Sequence, residues 1–115
     1  MKKMLRGKLE KVTTINKARR EAQKLYNEDI ELNVRCYTVD EDDIFTTDLQ
    51  IEINGEDVWE TIYVARVEVG KYEVNDDFWN FQETSCKMLA TMKKNLIKEL
   101  ELYNIKITHT DDYNC

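Results

Sequence analysis

The sequence predicts an α+β domain: a three- or four-stranded antiparallel sheet with two long helices, in the order α-β-β-β-α with a short β at the end. Three observations predict it. Apolar residues recur at spacings of three and four over residues 1–27 and again over 77–103. They alternate over 30–39, 44–53 and 57–69. The pair Asn54-Gly55 stands between the last two alternating runs, where a hairpin turn is needed.

In the first run Leu5, Leu9, Val12, Ile15, Ala18, Ala22 and Leu25 form one stripe with Lys and Arg opposite, a basic amphipathic helix. Thr13 and Thr14 lower helix propensity inside it. In 30–39, Ile30, Leu32, Val34 and Cys36 alternate with Glu31, Asn33 and Arg35, giving one dry and one wet face. The acidic run Asp40 to Asp43 breaks the pattern as a loop. Phe45, Thr47, Leu49, Ile51 and Ile53 share a face of the second strand. Asn54-Gly55 then predicts a type I′ turn, because both residues tolerate positive φ.

A two-residue loop pairs Ile53 with Glu56, Ile51 with Val58, Thr47 with Ile62 and Phe45 with Val64. Trp59, Tyr63, Ala65 and Val67 then share the opposite face, and a bulged turn exchanges the two sets. In either register the third strand is apolar on both sides, so a second layer covers the extra face or a partner docks there. Asn75-Asp76-Asp77 supplies N-cap residues for a helix over 77–103, with Phe78, Phe81, Cys86, Leu89, Met92, Leu96, Leu100 and Tyr103 in one stripe. Such a helix is about 40 Å long. Ile105, Ile107 and His109 alternate and predict a short final strand over 105–109.

A chain of 115 residues fits one domain, and 42% hydrophobic residues exclude a disordered chain. No apolar run reaches the roughly 20 residues of a membrane span. The opening MKKMLRGKLEKV has no apolar export core, so the expected compartment is the cytoplasm of a bacterial host cell. Cys36, Cys86 and Cys115 are odd in number and widely spaced, which predicts free thiols, the first two as small core residues.

The net charge of −6 is unevenly distributed. Residues 1–27 carry nine basic and two acidic side chains, 28–85 three basic and seventeen acidic, and 86–115 five basic and four acidic. Either the basic helix lies near the acidic sheet and the fields partly cancel, or the acidic middle faces a basic partner.

Catalytic and metal chemistry finds no support in the spacing. His109 is the only histidine, and no co-ligand spacing accompanies it. Cys86 with His109 has no third orienting group. An EF-hand loop starting at Asp40 fails because Phe45 occupies the position that needs Gly. The expectation is no enzyme, no cofactor and no metal. The order α-β-β-β-α is that of double-stranded RNA-binding domains, but Asn75-Asp76-Asp77 stands where those domains place a basic cluster, so direct nucleic-acid binding is not expected.

In size, acidity, absence of catalytic residues and Lys-, Asn- and Ile-rich composition, the chain resembles small phage-encoded anti-defence proteins, including anti-CRISPR proteins, and immunity proteins that neutralise nucleases. The resemblance implies an inhibitor that mimics DNA charge against a basic partner such as a nuclease. The residues expected to carry it are Asp40, Glu41, Asp42, Asp43, Asp48, Glu52, Glu56, Asp57 and Glu60, with Trp59 and Tyr63 as aromatic contacts. The alternative is a dimeric chaperone or assembly protein, with a second copy of the chain on the two-faced strand.

Overall fold

A computed structural model describes residues 8–41, 44–69 and 77–112. The elements are β1 (Lys8–Lys11), α1 (Ile15–Leu25), β2 (Glu31–Glu41), β3 (Ile44–Asn54), β4 (Trp59–Val69), α2 (Asp77–Leu102) and β5 (His109–Asp112). The class is α+β, as expected. The sheet, however, has five strands in the order β1-β4-β3-β2-β5, and it is mixed, because β5 runs parallel to β2 while the other pairs are antiparallel.

The expected helix over 1–27 gives way to a strand followed by a shorter helix; residues 1–7 lie outside the described residues. Lys8-Leu9-Glu10-Lys11 alternates as well as it fits a helical stripe. The free edge of β4 decides between the two, with Leu9 opposite Val67. The two threonines that weaken the helix mark its start: Thr14 is the N-cap, its hydroxyl accepting from the Lys17 N–H at 3.1 Å.

β4 carries a bulge. Leu49 stands opposite Ala65 and Gln50 opposite Tyr63, so Val64 is the extra residue. Its carbonyl accepts from the N–H groups of Val12 and Thr13 at 3.0 and 3.1 Å, which ties the β1–α1 connection to the bulge. The bulge inverts the alternation. Ile62, Val64, Ala65 and Val67 are all buried, while Thr61, Tyr63 and Arg66 line the opposite face. Ala65 and Val67 thus join the core, and the face they were expected to share with Trp59 and Tyr63 loses them.

The β3–β4 turn also differs from the expected type I′. Asn54 pairs with Trp59, leaving Gly55 to Val58 as the loop, and the Gly55 N–H donates to the Val58 carbonyl at 2.7 Å. Among the described residues no glycine has positive φ. Gly55 is required for closeness instead: a Cβ there would sit 2.9 Å from Ile30 Cγ2, on a buried and stiff β-branched side chain. Gly55→Ala is expected to cost about 1–2 kcal/mol in urea unfolding, as overpacking does. The cost should fall in an Ile30→Ala background, where the obstructing atom is gone.

Both helices cover one face of the sheet and touch each other. Ala18 and Ala22 of α1, and Phe81, Leu89, Leu96 and Leu100 of α2, close over Leu32, Val34, Leu49, Ile51 and Val64. A buried hydroxyl chain crosses this interface. Thr47 Oγ1 lies 2.8 Å from Thr38 Oγ1 and 2.6 Å from Ser85 Oγ, and Ser85 donates to the Gln82 carbonyl at 3.1 Å. Each hydroxyl is thereby satisfied away from water.

Cys36 is a free, buried thiol. Burial raises its pKa above the ordinary 9.0, partly offset by the charge of Lys93. The folded state therefore holds this proton more tightly than the unfolded chain. The resulting stabilisation is full below pH 9 and fades as pH rises through the folded value. Cys86 is buried but disulfide-bonded, where a free thiol was expected.

α2 ends in a Schellman motif. The Ile105 N–H donates to the Leu100 carbonyl at 3.0 Å and the Asn104 N–H to the Glu101 carbonyl at 3.0 Å, with Asn104 at φ 59°. Ile105 and Leu100 supply the accompanying apolar contact, both buried. Because Ile105 is used there, the alternation over 105–109 does not become a strand. Thr108 instead clasps Leu32 at 2.7–2.9 Å through both its backbone N–H and its hydroxyl, and β5 starts at His109. Asn104→Ala is expected to lower stability by about 1–2 kcal/mol and Asn104→Gly to be neutral or stabilising, since only the former places an unassisted Cβ in the left-handed region. Thermal unfolding of the two variants measures the difference.

Candidate functional site

The face of the sheet away from the helices is built from the polar phase of three strands. Its cross-strand rows are Tyr37–Asp48–Arg66, Arg35–Gln50–Tyr63 and Asn33–Glu52–Thr61, with Asn54–Trp59 at the hairpin end. Two ion pairs span it: Arg66 Nε to Asp48 Oδ1 at 2.7 Å and Arg35 Nη1 to Glu52 Oε2 at 3.3 Å. The Arg35 guanidinium also lies 4.4 Å over the Tyr37 ring. The hydrogen bond and charge of Asp48 push Arg66 above its already high ordinary pKa, so it stays cationic at any practical pH. Together these side chains line a shallow tray of about 600 Å³.

The acidic residues expected to act together are separated. Asp48 is 8% exposed and neutralised by Arg66, and Glu52 is half-buried and paired with Arg35. Neither offers a free phosphate-like charge. Asp40 and Glu41 stand at the far end of β2, and Asp42 and Asp43 lie outside the described residues. The length of β3, about 33 Å at 3.3 Å per residue, separates that end from the hairpin. At the hairpin, Glu56 and Asp57 of the loop and Trp59 and Glu60 at the start of β4 are all exposed, Trp59 to 82%, with Glu60 on the opposite face of the strand from Trp59. Tyr63, 44% exposed, is on the tray wall.

The basic helix is partly structural. Arg19 is buried, paired with Glu99 at 3.4 Å, bonded to Gln23 and Asn16, and stacked 3.7 Å over the Tyr103 ring. Lys17, Arg20 and Lys24 remain exposed. Because α1 packs on the helical side of the sheet, it does not cover the tray.

Sequence reasoning did not single out Arg35, Tyr37, Gln50 and Arg66. The signal was present: these residues occupy the wet phase of their strands. The bulge at Val64 hid how they line up across the sheet. Among the described residues no group of three or more His, Cys, Asp or Glu is placed to hold a metal ion. No helix of the described residues is long and apolar enough to cross a membrane. No protein-family model, curated protein or solved structure matches the chain.

Proposed function

We propose that the chain is a non-enzymatic protein-binding domain, an inhibitor or adaptor that docks through the β3–β4 hairpin onto a basic surface, such as that of a nuclease or another nucleic-acid-binding protein. The observation that carries this reading is Trp59, 82% exposed at a hairpin whose Glu56, Asp57 and Glu60 are also exposed. A large aromatic side chain left in water contributes little to folding, whereas tryptophan is the residue type most often found to dominate a binding interface. The three carboxylates of the hairpin steer a cationic partner and disfavour an anionic one. Charge mimicry is thereby narrowed to the hairpin, since Asp48 and Glu52 are already neutralised within the sheet.

The test is a tagged pull-down from host extract at low and high salt, comparing the native chain with a Glu56→Lys, Asp57→Lys, Glu60→Lys variant. A basic protein retained by the native chain at low salt, released at high salt and missed by the variant supports the reading. Retention of the same proteins by both chains refutes it. A salt-insensitive homodimer seen by light scattering, with no other partner, favours the dimeric assembly reading instead.

A further inference from the structure

The tray is a site separate from the hairpin, and we infer that it binds a neutral, planar nitrogen heterocycle of the nucleobase type, with Gln50 reading its hydrogen-bonding edge and Tyr63 its face. This goes beyond the protein-docking reading and does not depend on it.

The first ground is an unmatched polar group. Arg35 Nε, on the tray, is buried with no hydrogen-bond partner, and Gln50, 7% exposed, stands directly opposite it and lines the same tray. Buried polar groups in folded proteins are almost always paired. A glutamine amide presents an acceptor and a donor in one plane, the pattern that pairs with an adjacent donor and acceptor on a base edge.

The second ground is what stands beside it. Tyr63 is directly opposite Gln50 on β4, with its ring partly open to the tray, and Arg35 is directly opposite on β2. One row therefore offers a planar cation, an amide and an aromatic ring. Stacking on an aromatic side chain beside a hydrogen-bonding group is how open sheet faces hold unstacked bases.

The third ground is charge and size. Arg35 and Arg66 are matched by Glu52 and Asp48, so the formal charges of the tray cancel. That selects a neutral ring rather than a phosphate, and the net charge of −6 acts in the same direction against a polyanion. A volume of about 600 Å³ lies within the range of small-ligand sites.

The test is NMR titration of the ¹⁵N-labelled full chain with adenosine, guanosine, cytidine and uridine. At least one is expected to shift the Gln50 side-chain amide pair and the Tyr63 backbone amide saturably. Gln50→Leu is expected to weaken that nucleoside about tenfold, the worth of one lost hydrogen-bonded contact. Tyr63→Leu, at a position outside the core, should also weaken it about tenfold through lost stacking. An octamer of the same base is expected to bind no more tightly than the nucleoside, because the net charge of −6 opposes a polyanion, and tighter binding by the octamer overturns the choice of a neutral ring. No saturable shift at Gln50 with any of the four overturns the proposal, as does unchanged affinity in both variants.

Discussion

Replacing Phe81 with alanine is expected to lower folding stability by about 3–5 kcal/mol, the range for removing a fully buried aromatic side chain. Phe81 has no exposed surface, and its ring packs 5.6 Å from that of Phe45 at an angle of 42°. It fixes α2 to β3 near the end of the sheet farthest from the hairpin. A domain of this kind has about 5–15 kcal/mol in total, so the variant should be marginal at 37 °C. The control is Met88→Ala on the same helix, where the side chain is 37% exposed and the change should stay within about 0.5 kcal/mol. Urea midpoints of the two variants decide the matter. Equal losses would mean that α2 does not rest on the sheet through Phe81.

Trp59→Ala should leave the urea midpoint in place and lower affinity for the captured partner about thirtyfold or more, as loss of an aromatic hot spot does. The two halves of the hairpin site act on different rate constants. Truncating Trp59 should raise the dissociation rate and do so equally at low and high salt. Reversing Glu56, Asp57 and Glu60 should slow association, and that effect should shrink as salt screens the exposed charges. Surface plasmon resonance at two ionic strengths separates the two. Unchanged affinity on truncating Trp59 would exclude the hairpin as the docking site.

Much of the fold is legible in the chain because β2, β3, β4 and α2 each carry one unambiguous period. The structural bounds Glu31–Glu41, Ile44–Asn54, Trp59–Val69 and Asp77–Leu102 fall within a few residues of those the apolar spacing predicts. The failures have physical causes. Lys8 to Lys11 satisfies both periods, and only the open edge of β4 selects the strand. Asn54-Gly55 reads as a type I′ turn, but the glycine serves the approach of Ile30 rather than a positive φ. The extra residue at Val64 moves Ala65 and Val67 to the core, a phase change that alternation alone does not reveal. The placement of Trp59 and Tyr63 together on the second face of the strand was legible, and both are exposed there. The pairing of Asp48 and Glu52 with Arg66 and Arg35 was not, because it depends on which residues stand opposite across the bulged ladder.

The two outermost strands, β1 and β5, have four residues each, whereas the three central strands have eleven. An unfinished ladder is a template for another chain, and long flat borders invite stacking into fibres. Here the borders are KLEK on one side and HTDD on the other, each short and rich in charge. A second molecule that tried to extend the ladder would gain only a few main-chain bonds at either border. The short borders should therefore resist edge-to-edge stacking, even though among the described residues no helix covers the tray face of the sheet.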